Sequence, residues 1–204
     1  MVNDMKNILI ASKNKGKIAE FKTLFSQHHI EVISLYDLNE KIVDIEETGK
    51  TFAENAALKA ETIANQFHLP VLADDSGLMV DALSGAPGIY SARYAGEKST
   101  DEMNNTLLLK NMIHLKEVER TARFICVLAV ARPGEDTKFF TGYCQGKIVT
   151  EAKGKNGFGY DPLFLPEGYE QTMAQLAPKE KNEISHRSAA LRLLEKDIET
   201  LFNA

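Results

Sequence analysis

The 204-residue sequence has little of what defines several large classes of protein. It contains only two cysteines, Cys126 and Cys144, both in strand-like text, so we expect buried reduced thiols rather than a disulfide framework. No apolar run is long enough to cross a membrane, and the stretch from Met1 to Lys17 lacks the layout of a signal peptide. We therefore expect a cytoplasmic protein with no membrane partner.

Positive charge is also in short supply. The chain has 24 Lys and Arg against 29 Asp and Glu, a formal net charge of −5. A generally acidic surface disfavours binding to nucleic acid or to anionic membrane, so any basic site must be local. The composition, 44% hydrophobic and 26% charged, is that of a globular protein with a sizeable core. Because no repeat, low-complexity tract or linker interrupts it, we expect residues 1–204 to form one domain.

Several common catalytic motifs are missing as well. The sequence has no His and Cys spacing typical of zinc sites, no GxSxG, and no GxGxxG that opens a helix. The stretch SKNKGK differs from a Walker A loop, because Gly16 and Lys17 are followed by Ile18 and the position of its first glycine is occupied by Ala11. Any nucleotide site must therefore be built in another way.

Alternating apolar patterns predict an α/β fold. A strand is predicted at residues 7–11, a helix at 16–27 and a second strand at 31–35, and Thr51 with Glu54 forms a capping box that starts a second helix. The remaining predicted elements are a strand at 70–73, a helix capped by Ser99 and Glu102, long strands at 123–131 and 138–150, and a last helix capped by Ser185. The two long strands suggest a hairpin. We therefore expect a mixed sheet, parallel near the N-terminus and antiparallel in the hairpin.

The first candidate site is the lysine-rich turn between the first strand and the first helix. Such a turn offers backbone N–H groups and the positive end of the helix dipole to an anion. Ser12 and Asn14 can add hydrogen bonds, and Lys17 adds a charge in the first helical turn. These features suit a triphosphate. A solvated lysine cluster that caps a surface helix explains the same residues, and the stretch alone favours neither interpretation.

The second candidate site is a group of acids. In VLADDSG, Asp74 and Asp75 follow an apolar strand, and ligands of α/β sheets bind outside the carboxyl ends of strands. Adjacent carboxylates are tolerable around Mg²⁺, and one of them can take a proton from water. A polar turn is the alternative. Glu46 and Glu47 can reach the same metal, although a solvated loop is favoured. Lys59 is expected to face solvent unless its helix borders the phosphates.

The third candidate site combines two late segments. GFGYDP can bring backbone close to a flat ligand and stack an aromatic ring on it, with a plain tight turn as the alternative. KNEISHR places Lys181, His186 and Arg187 around the start of the last helix, where His186 alternatively serves only the helix cap. Donors such as Arg187 suit a purine with a 6-oxo group and reject the amino group of adenine, because a wrong partner leaves buried groups unpaired.

With its motifs in this order along the chain, the sequence resembles the inosine triphosphate pyrophosphatase family over nearly its whole length. The stretches that carry the resemblance are SKNKGK at 12–17, EETGKTFAENAALKA at 46–60, ADDSGLMVDALSGAPGIYSARYAG at 73–96, GFGYDPLF at 157–164 and KNEISHRSAAL at 181–191. One departure is Lys13, which stands where many family members have glycine. A side chain there can limit the approach of the backbone to a phosphate, or add a charge.

The resemblance implies a set of site residues. It makes Asp75 the proton acceptor and a Mg²⁺ ligand, supported by Asp74, with Glu46 or Glu47 as the other acid of the metal site. The implied substrate-binding residues are Ser12, Lys13, Asn14, Lys15, Gly16, Lys17, Lys59, Ser76, Phe158, Gly159, Tyr160, Asp161, Lys181, His186 and Arg187. The implied fold is an elongated mixed sheet flanked by helices, in two lobes with the active cleft between them, and family members are typically homodimers.

The implied function is Mg²⁺-dependent hydrolysis of the purine nucleoside triphosphates ITP, dITP and XTP to the monophosphate and pyrophosphate. This reaction clears deaminated purines from the nucleotide pool. One alternative is a related pyrophosphatase that acts on pyrimidine or modified nucleotides. The other is a nucleotide-binding protein without turnover, which the acids beside the lysines disfavour, because a pure anion binder gains nothing from paired carboxylates.

Overall fold

The computed structural model describes residues 6–38 and 45–202, which form an α/β protein built on a six-stranded sheet. The strands are β1 (Lys6–Ile10), β2 (Ile30–Ser34), β3 (Val71–Val80), β4 (Thr121–Ala131), β5 (Lys138–Ile148) and β6 (Phe164–Pro166). Their order is β2-β1-β3-β4-β5-β6. β1 pairs in parallel with β2 and β3, whereas β5 and β6 are antiparallel. The predicted mixed sheet, parallel near the N-terminus, is confirmed.

Helices connect most of the strands. They are α1 (Lys15–Ser26), α2 (Phe52–Phe67), α3 (Asp101–Asn111), α4 (Pro178–Ile184) and α5 (His186–Phe202). Within the described ranges, none of them combines the length and the apolar character that a bilayer crossing requires. The predicted start of α2 is confirmed, because the Thr51 hydroxyl accepts the Glu54 N–H at 3.1 Å. The Glu54 carboxylate accepts the N–H of Lys50, one residue before the position that a full capping box requires.

Of the other two predicted helix caps, one is confirmed and one was predicted one residue too early. The Ser185 hydroxyl accepts the Ser188 N–H at 3.2 Å, so the predicted cap of α5 is confirmed. α3 is capped by Thr100, whose hydroxyl accepts the Met103 N–H, and the prediction of Ser99 was one residue early. The short α4 and the three-residue β6 were not predicted, because segments of one or two turns carry too few residues for a periodic pattern.

The chain divides into two compact units. The first comprises Met1–Asp75, Val127–Thr141 and Ala190–Ala204, and the second comprises Ser76–Cys126 and Gly142–Ala189. In the first unit, the consecutive residues 8–10 of β1 are fully buried, as is typical of a parallel strand covered on both faces. Phe21 and Phe25 of α1 are also fully buried. The core of this unit therefore surrounds β1.

The second unit has its own hydrophobic core. Fully buried members of this core are Leu78, Leu108, Met112, Leu163 and Phe164. The core also contains Cys144, and both cysteines of the chain are buried thiols that form no disulfide, as predicted. Burial raises the pKa of the Cys144 thiol to about 11.

One predicted boundary was wrong in a way that matters for the site. The strand predicted to end at Ala73 continues to Val80, so Asp74 and Asp75 lie inside β3 and not in a turn after it. Asp-Asp-Ser-Gly is turn-forming text, but the buried Leu78 and Val80 that follow it extend the strand. Two carboxylates inside a buried strand need partners from elsewhere in the fold.

Candidate active site

The topology of the first unit places a site at the carboxyl end of β1. The chain leaves β1 through α1 to reach β2 on one side, and returns through α2 to reach β3 on the other. Ligands bind at such a switch point in open α/β sheets. The Ala11 N–H donates to the Leu72 carbonyl at 2.8 Å, so the lysine-rich turn begins beside β3, just before Asp74.

The lysine-rich turn is ordered by its own side chains. The Asn14 side-chain oxygen accepts the N–H groups of Gly16 at 2.9 Å and Lys17 at 3.2 Å, and the Ser12 hydroxyl accepts the Asn14 N–H at 3.1 Å. Asn14 therefore caps α1, and two N–H groups expected to face an anion are already bonded. Lys13 and Lys15 are exposed at the turn. The side chain at position 13 thus adds a charge at the surface.

Carboxylates and lysines from separate elements meet next to this turn. The Lys17 ammonium lies 2.6 Å from the Asp74 carboxylate, whose side chain is 2% exposed. The Lys59 ammonium lies 2.8 Å from the Glu47 carboxylate, 2.8 Å from the Asp74 carbonyl oxygen and 3.6 Å from the Asp75 carboxylate. The expectation that Lys59 faces solvent by default is wrong, because this face of α2 borders the acids. We call Lys17, Lys59, Glu47, Asp74 and Asp75 the acid–lysine cluster.

The arrangement of the cluster follows from the sheet. Successive side chains of a strand point to opposite faces, so Asp74 and Asp75 are served by different helices. α1 supplies Lys17 to Asp74, and α2 supplies Asn55 and Lys59 to Asp75. Ser76 follows in β3 and is half-buried. Glu46 is exposed, and no hydrogen bond or ion pair found within residues 6–38 and 45–202 joins its side chain to the cluster.

Asp75 has the perturbed titration expected of a proton acceptor. Burial raises the pKa of its carboxyl to about 6, and the nearby Glu47 and Asp74 carboxylates act in the same direction. Lys59 and the hydrogen bond from Asn55 oppose the shift without cancelling it. Burial also disfavours the charged form of Lys59, but the three surrounding carboxylates outweigh it and raise the pKa of this lysine. A carboxyl that titrates near 6 is well matched to general-base catalysis near neutral pH.

Sequence reasoning missed Asn55, which links Gly49, in the segment that follows Glu46 and Glu47, to Asp75. Its side chain is fully buried, its amide donates to Asp75 at 3.3 Å, and its oxygen accepts the Gly49 N–H at 2.8 Å. A β-carbon on Gly49 would lie 2.5 Å from the Asn55 oxygen, so this approach requires glycine. A polar residue between the core-facing Phe52 and Ala56 of α2 was the available signal.

The acid–lysine cluster supplies carboxylates that could serve as metal ligands. Within the described residues, no group of three or more His, Cys, Asp or Glu is arranged to hold an ion. Mg²⁺, however, is usually held by one or two carboxylates and completed by water and substrate phosphates. Glu47, Asp74 and Asp75 offer only hard oxygen ligands, and burial makes the charged form of the Asp75 carboxyl unfavourable and raises its pKa, a cost that a bound cation would offset. The residues therefore fit Mg²⁺ bound together with a phosphorylated ligand.

The glycine-rich loop of the second unit, residues 154–162, presents one aromatic ring. The Phe158 side chain is 57% exposed, and the Lys181 ammonium lies 5.0 Å from its ring centroid. The Asp161 carboxylate is buried, accepts the Phe158 N–H at 2.9 Å and forms an ion pair with Lys181. At Gly157, with φ of +79°, a β-carbon would lie 2.0 Å from Asp161. The loop thus folds tightly around a buried carboxylate and leaves a flat face exposed.

The other predicted residues of this unit have different surroundings. Tyr160 belongs to the hydrophobic core, and its hydroxyl donates to the Ser91 carbonyl at 2.8 Å; burial raises the pKa of this phenol. Of the two aromatics in the loop, only Phe158 can stack on a ligand. The His186 ring stacks on Phe124 with centroids 4.9 Å apart, and Arg187, at the start of α5, is 5% exposed.

Lysines and a base-like carboxylate at a topological switch point are typical of nucleotide-binding α/β enzymes. A family model described as the Ham1 family matches residues 8–197, and the chain belongs to this family. The resemblance seen in the sequence is thereby confirmed.

Individual relatives cover nearly the full chain. A dITP/XTP pyrophosphatase of Oceanobacillus iheyensis is 57% identical over 197 residues, which are 97% of this chain and 100% of the relative. A dITP/XTP pyrophosphatase of Listeria monocytogenes is 56% identical over 95% of both chains. The solved structure of the Staphylococcus aureus Ham1 protein matches with a TM-score of 0.89 and 46% identity, covering 96% of this chain and 100% of that one. A Coxiella burnetii HAM1 structure matches with a TM-score of 0.90 and 41% identity.

Proposed function

We propose that this chain is a Mg²⁺-dependent nucleoside triphosphate pyrophosphatase that hydrolyses ITP, dITP and XTP to the monophosphate and pyrophosphate. The observation that carries the proposal is the acid–lysine cluster at the carboxyl end of β1, where Lys59 lies beside a base-like Asp75 and Lys17 pairs with the neighbouring Asp74. Relatives at 56–57% identity are named dITP/XTP pyrophosphatases, which supports the same substrates here. The role is to remove deaminated purines from the nucleotide pool.

Asp75 acts as the general base in this proposal. Asn55 holds one carboxylate oxygen and Lys59 lies near the other, so the carboxylate is oriented before substrate binds. The ionised Asp75 accepts the proton of a water that attacks the triphosphate. Because its pKa is about 6, the carboxylate is ionised at neutral pH and still basic enough to take a proton.

The lysines neutralise the charge of the phosphate tail. Lys17 and Lys59 are paired with carboxylates in this structure. A triphosphate carries more negative charge than a carboxylate and therefore competes for both ammonium groups. Their ammonium groups then stabilise the charge that develops on the leaving pyrophosphate. Asp75 and Glu47, with Asp74 and Glu46 as further acids, would hold Mg²⁺, which when bound neutralises phosphate oxygens and acidifies water. Ser12, Lys13, Asn14, Lys15, Gly16 and Ser76 complete the proposed phosphate site.

The purine base of the substrate binds on the exposed face of the glycine-rich loop. Phe158 stacks on the purine, and Lys181, His186 and Arg187 surround it together with the backbone of residues 159–161. Donors at this position pair with a 6-oxo group and leave the amino group of adenine unpaired, which selects against ATP. We propose further that residues 1–204 act as one catalytic domain, in a cytoplasmic homodimer.

A nucleotide panel tests the proposal. Pyrophosphate release is measured for ITP, dITP, XTP, ATP, GTP, dTTP and UTP, with Mg²⁺ and with EDTA, and the Asp75→Asn variant serves as the background control. We expect rapid release from the three deaminated purine nucleotides, and only with Mg²⁺. Equal turnover of ATP and ITP would refute the specificity. A preference for dTTP or UTP would indicate a pyrimidine pyrophosphatase, and binding without turnover would indicate a nucleotide-binding protein.

A further inference from the structure

We propose that Asp101 and Asn105 of α3 are positioning residues for nucleoside recognition, because they fix the Gly159 backbone between Phe158 and Tyr160. This inference rests on the proposed function and adds two residues to it. In this inference both residues act through the loop that presents Phe158.

The two side chains hold both peptide groups of Gly159. The Gly159 N–H donates to the Asp101 carboxylate at 2.6 Å, and the Asn105 amide donates to the Gly159 carbonyl at 3.0 Å. Positions 101 and 105 are four residues apart and therefore lie on the same face of α3. Since one bond fixes the peptide before Gly159 and the other fixes the peptide after it, the backbone direction between Phe158 and Tyr160 is set from α3.

The backbone conformation of Gly159 explains why hydrogen bonds from α3 are needed to fix it. Its φ is +61°, and a β-carbon placed on it would meet no atom within 4 Å. Glycine is therefore required for its backbone conformation rather than for space. A cavity of about 470 Å³, whose lining includes Asp101, Asn105 and Phe158, lies beside the loop. The hydrogen bonds to α3, more than apolar packing, keep this side of the loop in place.

α3 is itself held firmly enough to serve as a support. The Asn104 side chain accepts the Ala95 N–H at 2.8 Å and donates to the Ala92 carbonyl at 3.2 Å. Leu108 and Met112, one and two turns further on, are fully buried in the core of the second unit. The helix that carries Asp101 and Asn105 is thus anchored on another face and at its far end.

The loop is held from its other side by Asp161, which accepts the Phe158 N–H and pairs with Lys181. With Asp161 and α3 acting together, the ring of Phe158 is presented before a ligand arrives, and little ordering remains to be done on binding. Removal of the α3 contacts should weaken binding of the base and leave chemistry at the phosphates unchanged. The expected signature is a higher KM with a nearly constant kcat.

The test uses Asp101→Ala, Asn105→Ala and the conservative Asp101→Asn, which keeps an acceptor oxygen. Glu102→Ala is the matched control, because Glu102 is an exposed acid in the same helical turn. We expect KM for ITP to rise about 10-fold in Asp101→Ala, which loses a charge-assisted bond, and about 3-fold in Asn105→Ala. In Asp101→Asn we expect recovery to within about 3-fold of wild type. kcat should stay within about 2-fold throughout, as expected when only ground-state binding is lost.

Product binding separates positioning from general damage to the fold. The dissociation constants of IMP, which carries the base, and of pyrophosphate, which does not, are measured by calorimetry for each variant. We expect IMP binding to weaken in parallel with KM and pyrophosphate binding to stay unchanged. An unchanged KM in the Asp101→Ala/Asn105→Ala double variant would refute the inference. So would equal weakening of both products, or an effect of Glu102→Ala as large as that of Asp101→Ala.

Failure of the proposed function gives a different result. A wild type that binds IMP but does not hydrolyse ITP would refute the proposed reaction alone, and the IMP affinities of the variants would still test the role of α3. A wild type that neither binds IMP nor hydrolyses ITP would refute both. If Asp101→Ala does not fold, which thermal melting reports, Asp101→Asn and Asn105→Ala carry the test.

Discussion

The acid–lysine cluster and the glycine-rich loop are held together in opposite ways. In the cluster, charged side chains from three separate segments contact one another, and burial leaves Asp75 with a pKa of about 6. In the loop, hydrogen bonds to the backbone dominate, from Asp101, Asn105 and Asp161. The acid–lysine cluster maintains a buried carboxylate that can accept a proton. The hydrogen bonds of the loop fix its backbone conformation and so the position of its exposed face. Perturbed groups of the first kind are typical of catalytic sites.

The largest expected effect comes from removing the proposed general base, Asp75. Asp75→Asn keeps the size and one acceptor oxygen of the side chain but cannot take a proton from water. We expect kcat for ITP to fall by about 100- to 10,000-fold, the usual contribution of a general base. Stopped or discontinuous pyrophosphate assays measure it, with Asp136→Asn as control, since Asp136 is an exposed acid of the same unit. Retention of most of the kcat would remove Asp75 from this role.

The next effect concerns stability of the cluster. Lys17→Met leaves the Asp74 carboxylate, 2% exposed, without its ammonium partner. We expect a loss of about 2 kcal/mol in the free energy of unfolding, since removal of one member of a buried ion pair is costly. Adding Asp74→Asn should recover most of this loss without restoring activity. Urea unfolding measures both, and Lys15→Met, in the exposed part of the turn, should change stability little. Equal losses in the Lys15 and Lys17 variants would contradict the ion pair.

A stability effect of similar size should appear as a pH dependence of the metal-free protein. The folded pKa of Asp75, about 6, is raised above the ordinary value of 3.8 for an aspartate. The stabilisation from this group is therefore fully present below pH 3.8 and is lost as the pH rises through 6. In EDTA at pH 8, Asp75→Asn should be more stable than wild type by about 3 kcal/mol, and the two should converge near pH 4. A variant that is less stable at pH 8 would show that Asp75 is stabilised by its neighbours.

The smallest effect is expected in the loop. Phe158→Leu keeps an apolar side chain but removes the exposed ring, and base stacking on an aromatic is worth about 1–3 kcal/mol. We expect KM for ITP to rise about 10-fold with kcat nearly unchanged. Phe139, which is 46% exposed in the first unit, supplies the control variant Phe139→Leu. A fall in kcat with constant KM would place Phe158 in the chemical step and remove the contrast between the two regions.

The predictions from sequence succeeded where the signal was local. Apolar periodicity located α1, α2, α5 and the long strands, and the caps at Thr51 and Ser185 were read from neighbouring residues. They failed where a distant contact overrode a local preference. Asp74 and Asp75 looked like a turn, but α1 and α2 provide partners that allow them inside a buried strand. Lys59 looked like a surface residue because the carboxylates that surround it are distant in the sequence.

The sequence by itself determined the alternation of strands and helices, the absence of common phosphate-loop and zinc motifs, and the family, because each of these is written in the order of residues along the chain. Only the tertiary structure decided which charges meet. Asn55 reaches Asp75 across 20 positions and Lys17 reaches Asp74 across 57, while Asp101 reaches Gly159 across 58. Burial, which sets the pKa of Asp75, is likewise a property of the packed fold, since it depends on atoms that no local stretch of sequence contains.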